Sequence, residues 1–247
     1  MSGLAKLTWV EFKLFLREPM AAFFTLAFPL MMLFLFGSIY GNVPSSFFGG
    51  FGSVDISVPG YTSMIIATTG LMSLSISMAS YREQGILRRL HATPLRPQAI
   101  LGAQLLVLFL MTTIGMFLLI VSGKAAYGLR FAGDPLNMGL TYVLCSMSFF
   151  ALGFVLAAVL PTTRSAQTVG MVLFYPMIFL SGATIPREII PETVRTYAQI
   201  LPLTHVVNLL RGLWTGDPWS SHFTEVGVLL GLLAAGVIIS AKTFRWE

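Results

Sequence analysis

PQAILGAQLLVLFLMTTIGMFLLIVSG, residues 97–123, runs for 27 residues without a charge. An α-helix rises 1.5 Å per residue, so about 20 residues cross a hydrocarbon layer about 30 Å thick. The run therefore predicts a transmembrane helix with length to spare. Working outward, uncharged runs of similar size recur at residues 21–40, 59–80, 135–160 and 165–185. A last run, 226–241, is shorter and becomes a full span, 223–242, only by taking in Glu225. A carboxylate is tolerated there because a helix N-terminus favours negative charge.

Composition agrees with six spans. Hydrophobic residues make up 55% of the 247, charged residues only 10%, and mean hydropathy is +0.81. Soluble domains carry roughly 25% charged residues, so the bilayer is the expected solvent. The net charge of +5 does not point to nucleic acid, because the basic residues sit at the ends of apolar runs. The one cysteine, Cys145, rules out an intrachain disulfide and a cysteine metal cluster. Lys6, Glu11, Lys13, Arg17 and Glu18 precede a long apolar run with no small-residue cleavage site, so the first segment is expected to stay as a span.

Orientation follows from the basic residues. With both termini inside, ten Lys and Arg are cytoplasmic (Lys6, Lys13, Arg17, Arg82, Arg88, Arg89, Arg96, Arg164, Lys242, Arg245) and five are external (Lys124, Arg130, Arg187, Arg195, Arg211). The positive-inside rule selects this topology. Between the spans, residues 4–18 wind into an amphipathic interfacial helix, with Lys6, Lys13 and Arg17 on one stripe and Trp9, Phe12, Phe15 and Leu16 on another arc. Residues 81–91 predict a short cytoplasmic amphipathic helix, which Pro94 and Pro97 end. Ile190, Val194, Tyr197 and Leu201 recur at helical spacing opposite Glu188, Glu192, Arg195 and Gln199, predicting an external amphipathic helix. The uncharged stretch 199–210 is too short to cross and suits a re-entrant or interfacial segment. One membrane domain, 1–247, accounts for the chain, with 1–19 as the interfacial helix and 186–212 as external re-entrant helices.

Chemical motifs are sparse. There is no G-x-x-x-x-G-K-[ST] loop, since Gly123-Lys124 is followed by Ala125 and lacks the upstream glycine. His91, His205 and His222 form no H-E-x-x-H pattern, which argues against catalytic zinc. The six uncharged runs hold no carboxylate, Lys or Arg, so ion coupling through a buried acid is not expected. Gly227, Gly231 and Ala235 form a small-residue stripe suited either to packing within the chain or to a dimer contact. Ser73, Ser75 and Ser77 alternate, so they cannot share one helix face, and either helix packing or a polar path explains them.

Four stretches resemble the membrane subunits of type-2 ABC exporters, which have the type V exporter fold. Phe12, Lys13, Arg17, Glu18 and Pro19, with Phe28-Pro29-Leu30 and Phe36-Gly37, resemble that family's connecting helix and first span. Val58-Pro59-Gly60 is similar to the start of its second span. Residues 82–95, REQGILRRLHATPL, resemble its E-x-G-T-L-x-x-L-x-x-T-P-L loop, with Ile86 in place of the usual threonine. Phe179-Leu180-Ser181-Gly182, Pro186, Pro191, Pro202-Leu203-Thr204 and Arg211-Gly212 are similar to its external re-entrant helices.

The resemblance implies an all-α integral membrane protein: six transmembrane helices, an N-terminal interfacial helix, a cytoplasmic coupling helix over 81–91 and extracellular re-entrant helices before the sixth span. It further implies a permease subunit in the cell (inner) membrane, paired with a second permease, identical or related, and with two copies of an ABC ATPase. ATP and Mg would then be held by the ATPase and no cofactor by this chain, which has no catalytic residues of its own. Arg82, Glu83, Gly85, Leu87, Arg88, Leu90, Thr93 and Pro94 would couple to the ATPase. Gly182, Pro186, Pro191, Pro202 and Arg211 would belong to an external gate. The cargo implied is apolar or amphipathic: a drug, a lipid, or a lipid-linked or polysaccharide molecule. A membrane scaffold or assembly subunit is the alternative from another functional class.

Overall fold

The computed structural model describes residues 3–86 and 97–243, and among these every regular element is helical. Helix α1 (Gly3–Arg17) leads into a rod made of α2 (Pro19–Ala22), a π-helical turn (Phe23–Ala27) and α3 (Phe28–Tyr40). Gly41, with φ +66°, ends that rod. The next rod joins α4 (Ser53–Ala67), a π-helical turn (Thr68–Leu74) and α5 (Ser75–Glu83). Then come α6 (Pro97–Tyr127), α7 (Pro135–Val159), α8 (Thr163–Leu180), the short α9 (Glu192–Ala198), α10 (Pro202–Thr215) and α11 (Phe223–Thr243).

Local chemistry sets the boundaries. Prolines 97, 135 and 202 occupy the first helical position, where no N–H is needed. Asp134 and Thr162 cap α7 and α8 by accepting from Asn137 N–H at 2.9 Å and Ser165 N–H at 3.1 Å. In the central rod Thr68 and Thr69 donate to the carbonyls of Met64 and Ile65, both at 2.9 Å. Such back-bonding satisfies the hydroxyls where no water reaches and loosens the helix ahead of the wide π turn.

That central rod is the core. Tyr61, Met64, Ile65 and Leu71 are buried with Phe149, Phe174 and Leu203 from the surrounding helices. Two glycines permit close helix packing: a side chain on Gly153 of α7 would overlap the Gly70 carbonyl, and one on Gly236 of α11 would press on Ala151. Peripheral helices show apolar side chains outward, among them Leu35, Phe117, Leu140, Val172 and Ile238. Only a lipid environment makes so much exposed apolar surface stable.

Five stretches are long and apolar enough to cross a membrane: Phe23–Tyr40, Ser46–Glu83, Leu101–Tyr127, Pro135–Val159 and Trp219–Thr243. Helix α8 is not among them, because Arg164 and Gln167 in its first two turns lower its hydropathy. It also stops at Leu180, short of Ile185, where the chain turns at Gly182 (φ +89°). The last run, short by charge counting, is by contrast a full helix with Glu225 in its first turn.

Other boundaries differ from the sequence reading. The second rod starts at Ser53, not at Pro59, and so includes the fully buried Asp55; the spans are not free of carboxylates. Tyr81, Arg82 and Glu83 continue α5, and a turn follows at Gln84 and Gly85 (φ +65°). The amphipathic helix read through 188–201 shrinks to α9: Pro191 precedes it, Ile190 is buried before it begins, and Tyr197 points outward. Gly227 and Gly231 have nothing within 4 Å of where a side chain would stand, and Ala235 is exposed, so this stripe packs on nothing among the described residues.

Candidate functional site

The bundle has two polar ends. At the basal end, α5 stops beside the tight connection between α7 and α8. Arg82 donates through Nη2 to the Leu160 carbonyl and through Nη1 to that of Ala158 at 3.5 Å. Glu83 accepts from the Thr163 N–H at 2.9 Å and from its hydroxyl at 2.6 Å. The cation thus serves carbonyls that α7 leaves unpaired at its C-terminus, and the anion serves a donor that α8 leaves unpaired at its N-terminus. Gly85 supplies the left-handed turn that follows. Two adjacent charges therefore tie three helices together. Leu87, Arg88, Leu90, Thr93 and Pro94 lie outside the described residues.

Helix α1 braces the same end. Phe15 is buried with Met78, Val107 and Met111. Beside it Glu11, 6% exposed, accepts a 2.6 Å hydrogen bond from the Tyr81 hydroxyl. Burial pushes the Glu11 carboxyl above its usual range, with the Tyr81 bond opposing and Glu18 adding to the rise; burial raises Glu18 too. Nothing in the sequence pattern distinguished Glu11 from the other charges of the interfacial helix.

Above this brace a cavity of about 350 Å³ opens between α2, the π turn of the central rod and α8. Phe24, Met72, Met171 and Phe174 give it apolar walls, Ser73 and Gln167 add polar points, and the charged Arg17 and Glu18 also line it. The three alternating serines separate as their spacing requires. Ser73 faces this cavity, Ser75 bonds back to the Leu71 carbonyl, and Ser77 lies near Glu11.

At the apical end, Asp55 gathers the connections between the helices. Its Oδ1 accepts from Asn42 Nδ2 and from the Arg130 N–H, both at 2.8 Å. Its Oδ2 accepts from the Gly52 N–H and Arg130 Nε, both at 2.9 Å, and Arg130 Nη2 lies 2.8 Å away. Trp214 Nε1 of α10 donates to the Arg130 carbonyl at 3.1 Å. The sequence reading used Arg130 only as an external charge and passed over Asp55, because 75 residues separate the partners.

The apical helices complete this end. Pro191 precedes α9 and Pro202 opens α10, most of whose residues are buried against α4, α7 and α11. Arg211 pairs with Glu188, and Arg187 donates to Asn208 Oδ1 at 2.7 Å. Desolvation, then the charges of Arg195 and Arg211, lower the Arg187 pKa. Gly182 lets the chain turn back so that the Ala183 carbonyl lies against Gly60, while Pro186 accepts from the Ile189 N–H at 3.0 Å.

The profile of the ABC-2 type transporter family matches residues 3–214, taking in both ends and the central rod. The chain belongs to the ABC-2 type transporter family. It is therefore an integral membrane transport component of the ABC permease type, with its several apolar helices as the membrane part. Three relatives show the range of this ABC-2 group. The "Probable multidrug ABC transporter permease YbhR" of Escherichia coli (strain K12) is 26% identical over 160 residues, 65% of this chain and 44% of that protein. The "Putative transport permease ycf38" of Porphyra purpurea is 24% identical over 230 residues, 92% of this chain and 79% of that protein. "Nodulation protein J" of Rhizobium leguminosarum bv. viciae is 28% identical over 102 residues, 41% of this chain and 39% of that protein. The match thus spans less than half the length of the E. coli and Rhizobium proteins.

Proposed function

We propose that this chain is one of two membrane subunits, identical or related, of an exporter driven by two separate ABC ATPase subunits that bind ATP and Mg. The cargo is apolar or amphipathic and moves out of the cytoplasm or the inner leaflet. In this reading the chain crosses the cell (inner) membrane six times with both termini cytoplasmic. The sixth crossing is α8, with Arg164 and Gln167 near the basal interface, where polar residues are tolerated.

The observation that supports the reading most is the bonding of Arg82 and Glu83 to the connection between α7 and α8. These residues end the central rod and open residues 82–95, the segment whose sequence resembles an ATPase-docking loop. Leu87, Arg88, Leu90, Thr93 and Pro94 seat on the ATPase, and Gly85 forms the elbow. Force arriving there passes along α5 and, through the two charges, into α7 and α8. Since the cavity near Ser73 lies between the central rod and α8, the same movement changes its width. Its apolar walls with a few polar points suit an amphipathic cargo.

At the apical end the segment with Gly182, Pro186, Pro191, Pro202 and Arg211 acts as the gate. Nucleotide binding on the partner shifts the population from a basally open to an apically open state. The test combines Arg82→Ala with Glu83→Gln, alongside Arg88→Ala, and follows ATPase co-purification and ATP-driven dye efflux in membrane vesicles. The Arg82/Glu83 variant should keep the ATPase yet lose efflux, and the Arg88 variant should lose the ATPase. Full efflux and full ATPase recovery in all variants would refute the assignment.

A further inference from the structure

One groove adjoins the apical Asp55–Arg130 node and is separate from the cavity near Ser73. It measures about 640 Å³ and runs between the apical halves of α6 and α7 under the 128–134 connection. Its walls are apolar: Met116 and Ile120 on α6, Pro135 and Met138 on α7, with Phe131 and Trp214 closing the top. Its floor is open at Gly139, which has no atom within 4 Å of where a side chain would stand.

The rim carries two cations, Lys124 and Arg130. Arg130 is neutralised by Asp55. Lys124 is exposed, makes a single long contact to the Leu129 carbonyl at 3.4 Å, and has no ion-pair partner among the described residues. The nearest acid in sequence, Asp134, is absent from the groove lining and is occupied in capping α7. An uncompensated ammonium therefore stands over an apolar slot at the end of a membrane-length helix, the depth at which lipid phosphates lie.

We propose that this groove holds a phospholipid of the surrounding bilayer, with its anionic head group on Lys124 and an acyl chain along Met116, Ile120 and Gly139. The charge selects an acidic head group, and the apolar walls select a chain over a soluble anion. The site is separate from the cavity near Ser73, so the lipid here is a bound neighbour and not the cargo.

The glycine floor supplies an unusual test. Gly139→Leu fills the slot without a clash and replaces a poor helix former with a good one, so it keeps the fold while closing the site. Lys124→Gln removes the charge alone. The detergent-purified protein is titrated with phosphatidylglycerol or phosphatidylcholine, and bound lipid is counted by native mass spectrometry. The wild type should prefer phosphatidylglycerol. Lys124→Gln should weaken phosphatidylglycerol binding about fivefold and erase the preference, and Gly139→Leu should weaken both lipids at unchanged thermal stability. Equal binding of the two lipids by the wild type, or unaltered binding in both variants, would overturn the proposal. So would loss of self-association in Gly139→Leu, which would make the groove a protein contact.

Discussion

Replacing Asp55 with Ala removes the acceptor that joins two apical connections, 41–52 and 128–134. Five contacts at 2.8–2.9 Å converge on this fully buried carboxylate. Two come from the Arg130 guanidinium, which is 40% exposed and regains water when released. The other three come from the Asn42 amide and the N–H groups of Gly52 and Arg130, and an unpaired buried donor costs about 1–3 kcal/mol. Taking the lower part of that range for groups able to relax gives about 3 kcal/mol in all, comparable to breaking a buried ion pair. For a chain of this length that corresponds to a fall of roughly 6–12 °C in Tm. Arg130→Gln keeps the backbone N–H bond but leaves the fully buried carboxylate without its cation, so it should cost at least as much, about 3 kcal/mol, hence roughly 6–12 °C. The lone, fully buried Cys145 supplies the assay, since a thiol-reactive fluorophore reports unfolding directly. A Tm within a degree of wild type for either Asp55→Ala or Arg130→Gln would refute this account of the node.

Three further outcomes follow from the packing and the charges. The raised carboxyl of Glu11 means the folded state holds its proton more tightly than the unfolded state does, so stability falls as pH rises from about 4.5 through the folded pKa. Glu11→Gln should remove part of that slope, and Glu11→Gln with Glu18→Gln most of it, in thermal melts taken across pH 4–8. Gly153→Leu drives a side chain into the Gly70 carbonyl and should destabilise by about 3 kcal/mol in the same thiol assay, whereas Gly139→Leu, nearer the start of the same helix, should not. Gly227→Leu with Gly231→Leu meets open space and should leave the Tm of the isolated subunit within about 2 °C of wild type; a marked loss would show that the stripe packs within the chain after all.

Long uncharged runs made the helical membrane class legible, because chain length against bilayer thickness is a one-dimensional property. Boundaries were less so. Pro59 reads as a helix start, yet the helix passes through it from Ser53, since the flanking contacts of Asp55 and Asn42 hold the preceding turn. At 188–201 the apolar spacing was present, but Pro191 limits the start of the helix, which ends at Ala198, and Tyr197 on it is exposed. Pairings across the fold, Asp55 with Arg130 or Glu11 with Tyr81, join residues 70 or more positions apart and leave no local pattern. Arg82 and Glu83 were singled out in the sequence for their place in a motif. Their bonds to Ala158, Leu160 and Thr163 give a second reason for those residue types, one that only the packed helix ends reveal.

The central claim is that ATP hydrolysed on another chain moves this one. The most direct measurement reconstitutes the permease in liposomes with its ATPase, with an ATPase variant lacking its catalytic carboxylate, or alone, and follows efflux of a lipophilic dye. Efflux that requires ATP, the intact ATPase and this chain together is the predicted result. Dye movement or ion conductance by this chain alone, at the same rate without ATPase or ATP, would contradict it.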